Sequence, residues 1–170
     1  MVSLFMCINV TYYSAYFFIT KMKGNVFTLG LSLGCAEMTA GIVSGIMMNY
    51  YNEKATFLIC AVTLILFQLS LYYFEDILLA GSGYGGLVVL YVTMIGVGGV
   101  YNSVYCVIEA EMPAQWLGPT LSIGLAAGQF TASLAPQIQQ FKMPIPIWIT
   151  SCLMMYTINV VFFLEQPGSS

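Results

Sequence analysis

Glu37 stands in the stretch LSLGCAEMTAGIVSG (31–45), where it is the only charged residue. An ionised acid at the centre of an apolar helix costs about 2.5 kcal/mol or more in a bilayer, so something must offset it. The basic residues, Lys21, Lys23, Lys54 and Lys142, all lie outside the long apolar runs. Three outcomes remain open for this carboxyl: desolvation keeps it neutral, a cation from another segment meets it, or it binds a cationic substrate or a proton transiently. The first is compatible with the third, and a carboxyl that changes charge inside a bundle is what proton-coupled transport requires. The plainer role is a neutral pin, hydrogen-bonded to Ser or Thr.

Other polar side chains fall on shared faces at a helical period of about 3.6 residues. Ser122, Gln129 and Ser133 lie with Ala126; Tyr91, Asn102 and Tyr105 lie with Gly98; Asn9, Tyr12, Tyr13 and Tyr16 form a third group. Polar stripes facing lipid are costly, so these faces should meet each other or water. They either hydrogen-bond between helices or line a substrate path.

Several chemistries are excluded by what is missing. There is no His and no Arg, which removes histidine catalysis and histidine metal ligation. Cys7, Cys35, Cys60, Cys106 and Cys152 have no CxxC spacing and read as small apolar core residues rather than metal ligands. Neither paired acids nor a nucleophile beside a base is present, so no enzyme activity, metal or cofactor is expected. A net charge of -3 spread over the polar breaks gives no basic face, hence no nucleic-acid partner.

The elements that must position these residues follow from composition. Of 170 residues, 59% are hydrophobic and 6% charged, and the mean hydropathy is +0.87, far from the balance of soluble domains. A multi-pass integral membrane protein is expected, its helices embedded in a lipid bilayer. Apolar runs of about 20 residues suit bilayer crossings, and about six fit: 1–20, 25–49, 55–74, 86–108, 118–137 and 145–164. Between them lie KMKGN, NYYNEK, the stretch from FED to GSGYGG, EAEMPAQW and QQFKMP, each carrying charge, Pro or Gly. The first run has neither a basic start nor a small-residue cleavage site, so it does not read as a signal peptide; its abrupt apolar opening would suit a fragment of a longer chain.

Glycine is unevenly spread. The second, fourth and fifth runs hold Gly30, Gly34, Gly41, Gly45, Gly86, Gly96, Gly98, Gly99, Gly118, Gly124 and Gly128, while the first, third and sixth hold none. Small residues let helices approach closely, so the glycine-rich helices should lie inside the bundle, and the third helix of each triplet should be peripheral. The expected fold is therefore all-α, a single domain over 1–170, with about six transmembrane helices as two three-helix repeats, a nesting found in transporters.

Several segments resemble one family. YCVIEAEMPAQWLGPTLSIGLAAGQFTASLAPQI (105–138) is similar to the tenth-to-eleventh helix region of the major facilitator superfamily, closest to the organic cation/anion transporter group. There an acid and a Pro close one helix, and a Gly- and Ser-rich helix ending in Pro follows. GNVFTLGLSLGCAEMTAG resembles that group's eighth helix, and TYYSAYF resembles a Tyr-Tyr pair of its seventh. The resemblance covers essentially the whole chain, as the C-terminal six-helix half of a major facilitator fold.

Departures are also visible. The family's Asp-Arg-x-Gly-Arg-Arg type loop reads NYYNEKAT here, leaving Glu53 and Lys54 as its charges. Glu109 and Glu111 flank the expected acid position at Ala110, and Leu117 stands where the family carries Arg. The position seven residues before the eleventh-helix proline, Asp in cation carriers and Arg in anion carriers, is Gln129. The resemblance then implies a neutral or zwitterionic substrate, or a chain that no longer selects by charge; a helix-to-helix hydrogen bond is the alternative for Gln129. It also puts the breaks near Lys54 and Glu109 in the cytoplasm, against the bias set by Lys21, Lys23 and Lys142.

The expected function is a solute carrier, or its C-terminal half, moving a small organic solute by alternating access. Gln129, Ser133, Ser122, Asn102, Tyr105, Tyr12 and Tyr16 would line the path. Glu37 would be a proton or cation site, and Glu53, Lys54, Glu109 and Glu111 gating charges. Six helices cannot enclose a two-sided path in this architecture, so the expected partner is an N-terminal six-helix half or a second copy of the chain. A degenerate half-transporter acting as a structural membrane subunit is the competing expectation.

Overall fold

The computed structural model describes residues 1–18, 25–73, 84–142 and 145–163. Lys21, Lys23, most of the first and third polar breaks and the last two residues of the final break lie outside these residues. All regular structure described is helical: α1 (Val2–Phe18), α2 (Val26–Tyr50), α3 (Glu53–Tyr73), α4 (Tyr84–Glu111), α5 (Ala114–Ala132), α6 (Ala135–Gln140) and α7 (Ile145–Phe163).

Helix boundaries follow local chemistry. Asn25 caps α2, its side chain accepting from Phe27 N at 3.0 Å. Between α2 and α3 the chain turns at Tyr51 and Asn52, inside the break expected there. Pro113, which lacks an amide donor, stands at the N-cap of α5. The expectation of one continuous helix over 118–137 needs correction: α5 stops at Ala132, and Ser133 and Leu134 make turn bonds to Phe130 O and Thr131 O at 3.3 and 2.9 Å. Pro136 is the cause, because it cannot donate to Ala132 and its ring crowds that carbonyl. It fits instead in the first turn of α6.

Four helices are long and apolar enough to cross a membrane: α2, α3 over Glu53–Ser70, α4 over Val88–Glu111, and α7. Among the described residues, these are the helices that meet length and hydropathy together. The surface agrees with a bilayer setting. Leu31, Met38, Ile42 and Ile46 of α2, Leu66 of α3, Phe130 of α5 and Phe162 of α7 are all exposed, an apolar exterior that water would not tolerate. Exposed Tyr50, Tyr51 and Trp116 gather at the turns that end α2 and α4, while Trp148 lies near the start of α7, as expected of aromatic side chains at membrane interfaces. These are the helices of an integral membrane protein.

Packing sets three layers. α1 and α4 form the centre and touch each other; α2 packs on α4 and α5 on α1; α3 packs on α4, α7 on α1, and α3 and α7 on each other. Phe5, Ile8, Leu64, Met94, Val97, Val104 and Ile108 are fully buried between these layers. Gly96, Gly98 and Gly99 of α4 and Gly124 and Gly128 of α5 make the close approaches expected of them, while Gly118 does not. A Cβ on Gly98 would lie 2.7 Å from that of Ala40, and one on Gly128 would run into Asn9.

α2 corrects the expectation for its own glycines. Added Cβ atoms at Gly30, Gly34 and Gly45 meet nothing, and only 17% of this helix's apolar window is buried, against 56% for α4. Gly34 and Gly41 lie one turn to either side of Glu37, so the glycine face is an open edge of the helix beside that residue, and a Cβ on Gly41 would come within 4.0 Å of Asn102 Nδ2; the glycine-free α3 and α7 are better covered than α2. The cysteines also depart in part from the core expectation: Cys60 is buried, Cys7 and Cys106 are half-buried, and Cys35 and Cys152 are exposed.

Candidate functional site

α2 and α5 both lean on the central pair but do not form a packed pair with each other. A furrow therefore runs between them, floored by α1 and α4. Tyr12, Tyr13 and Tyr16 reach it from α1, and Tyr101, Asn102 and Tyr105 from α4; all are half-buried.

Glu37 stands about midway along α2 and faces this floor. The hydroxyls of Tyr12 and Tyr16, one turn apart on α1, both donate to Glu37 Oε1, and the two phenol oxygens lie 3.0 Å from each other. Among the described residues the carboxyl is thus held by phenols, not by a cation and not by the Ser or Thr expected of a structural pin. Hydrogen bonds to a carboxylate are shorter and stronger than neutral ones, which suits an acid at this depth.

The three oxygens define what the cluster can do. With the carboxyl ionised, two phenol protons point at Oε1. When the carboxyl takes up a proton, one phenol is released and can donate to the other across 3.0 Å. The three oxygens thus form one connected hydrogen-bonding group.

Rings continue the cluster across the floor. Tyr12 stacks on Tyr101 at 4.9 Å between centroids and 33° between planes, Tyr101 meets Tyr105 at 5.5 Å, and Tyr105 meets Phe5 edge-on at 5.4 Å. The Tyr105 hydroxyl donates to that of Tyr101 at 3.0 Å. Along the α2 wall, the hydroxyls of Thr39 and Tyr91 share a 2.6 Å hydrogen bond, and Asn102 Nδ2 donates to Ser44 Oγ at 3.4 Å. On the α5 wall, the Tyr13 hydroxyl reaches Gln129 Oε1 at 3.4 Å.

Of the residues singled out by sequence, Tyr12, Tyr16 and Glu37 meet directly. Tyr105 joins through Tyr101 and Gln129 through Tyr13, while Asn102 bonds Ser44 of α2 apart from that group. Ser122 and Ser133 lie on the exposed face of α5, and Ser133 Oγ donates back to Phe130 O at 2.7 Å. Tyr101 belongs to the cluster and was not legible as such, nor was the Thr39–Tyr91 bond on the α2 wall. The i, i+4 pairing of Tyr101 with Tyr105 was the available signal, masked by the eleven-residue stripe from Tyr91 to Asn102.

The loop charges gather at one end of the bundle. Lys54 Nζ lies 2.6 Å from Glu111 Oε1, joining the start of α3 to the end of α4. Each of these charges sits at the unfavourable end of its own helix dipole, so the pairing offsets both. Glu53 opens α3 and is exposed, as is Glu109.

A scan of the chain against protein-family models finds no match. A search of the curated proteins also finds none.

Proposed function

We propose that this chain is one half of a membrane solute carrier and that the furrow between α2 and α5 is its half of the transport path. The observation that carries the proposal is the Glu37–Tyr12–Tyr16 cluster: a mid-helix carboxyl on the α2 wall of a polar furrow, held by two phenols of its floor. Asn102, Tyr105 and Gln129 offer neutral donors and acceptors beside it, which favours a small organic solute with hydroxyl or amide groups over a fixed ion.

The packing supports a two-repeat reading. Exchanging α1 with α4, α2 with α5 and α3 with α7 turns the α1–α5 contact into α4–α2 and the α3–α4 contact into α7–α1, while α1–α4 and α3–α7 return to themselves. Such internal pseudo-symmetry, with the site near the centre, is the pattern of rocking transporters. It agrees with the resemblance to the C-terminal half of major facilitator proteins, the organic ion group in particular. The uncovered glycine face of α2 is then where a second six-helix unit would pack, either an N-terminal half or another copy. A structural subunit would use that same face without moving a solute.

Reconstitution into liposomes separates the two. With oligomeric state fixed in detergent and a panel of neutral, zwitterionic and charged solutes followed by mass spectrometry, a carrier gives saturable uptake of at least one. A folded, defined oligomer that moves none of them would contradict transport and leave the subunit role.

A further inference from the structure

Behind α1, on the side away from the furrow, lies a separate cavity of about 30 Å³. Ser14 on α1, Gln68 on α3, Thr93 on α4, Gln139 on α6 and Thr150 on α7 supply its polar lining. Five helices thus send an uncharged polar side chain to one point. Ser14 is two residues from both Tyr12 and Tyr16, so it projects from the opposite face of the same helix.

Most of these groups are already partnered. Thr93 Oγ1 donates to Val89 O at 2.7 Å, Thr150 Oγ1 lies 3.3 Å from Gln68 Oε1, and Ser151 Oγ donates to the same oxygen at 3.2 Å. Gln139 Nε2 donates to the backbone oxygen of Ser14 at 3.0 Å, fastening α6 to α1. Two atoms are left over. Ser14 Oγ and Gln139 Oε1 are fully buried with no hydrogen-bond partner among the described residues, and their residues are 1% and 9% exposed.

A buried hydroxyl and a buried amide oxygen without partners call for an occupant that both accepts and donates. The volume admits about two waters, since one needs roughly 10–15 Å³. A bare cation would find no carboxylate in the lining to offset its desolvation. We infer that this cavity is an internal water site: bound water accepts from Ser14 Oγ and donates to Gln139 Oε1, completing a polar node that ties α6 to the back of α1. The site stands independently of any transport role.

Radiolytic hydroxyl labelling of the reconstituted protein tests it, because radicals formed from bound water modify the side chains beside them. Leu90 and Ile147 line the cavity and are buried; Leu64 and Ile108 are equally buried and do not line it. Labelling of Leu90 and Ile147 should exceed that of Leu64 and Ile108 several-fold, and Gln139→Leu should bring it down to their level. Equal protection of all four in the unsubstituted chain would overturn the water site. Replacing Na⁺ with N-methylglucamine should leave the thermal midpoint unchanged. A midpoint that rises saturably with Na⁺, and no longer does so in Ser14→Ala, would overturn it in favour of a cation.

Discussion

At the scale of residues, the Glu37 cluster is where sequence reasoning reached furthest and where its limit shows. A lone acid in an apolar run marks a site because its cost must be offset, and the tyrosines on α1 marked a polar face. What offsets the acid was not legible: nothing local links Glu37 to Tyr12 and Tyr16, which lie 25 and 21 residues away and meet it only once α1 and α2 both pack on α4. Tyr12→Phe and Tyr16→Phe should each remove a donor from the carboxyl and cost about 1–3 kcal/mol, measured as a fall in thermal midpoint; no fall in either would mean that the hydroxyls do not hold Glu37. Gln129→Asp places a charge on the opposite wall of the furrow, so substrate preference should shift toward cations in competition uptake. Unchanged preference would put Gln129 off the path.

At the scale of elements, glycine has two meanings here that composition cannot separate. In α4 and α5 it marks contact: Gly128→Ala drives a Cβ into the buried Asn9, and a loss of about 1–3 kcal/mol is expected from such overpacking. In α2 it marks an open face, where Gly34→Ala should change stability by no more than about 0.5 kcal/mol. Thermal melts of the two variants in the same detergent make the comparison, and equal losses would mean that the α2 face is already covered. Helix ends at Asn25, Tyr51 and Pro113 were readable because caps, breaks and prolines are local signals. The stop at Ala132 was not read, although Pro136 supplied its cause, because the apolar pattern runs on through the turn. The many hydroxyls also reduce the weight of polar stripes. Thr11, Thr63, Ser103 and Thr157 donate to carbonyls of their own helix three or four residues back and need neither a partner helix nor water.

At the scale of the whole molecule, the membrane character follows from composition, while the layer order depends on which helices share faces and so required the structure. The Lys54–Glu111 pair fastens the α2–α3 turn to the end of α4. Lys54→Ala should cost roughly 1–2 kcal/mol, more than an exposed pair is worth, because the Glu111 side chain is only 8% exposed and would lose its partner. If the open face of α2 receives a second six-helix unit, Gly34→Leu should leave the melting of the isolated chain unchanged and lower the oligomeric fraction in light scattering. The central claim is that Glu37 serves as the proton site of a transport path, and it is tested most directly by uptake into proteoliposomes over a range of pH, comparing the unsubstituted chain with Glu37→Gln. The account predicts saturable, pH-dependent uptake by the first, and by the second a folded protein whose uptake no longer responds to pH. Identical pH dependence in both would contradict it.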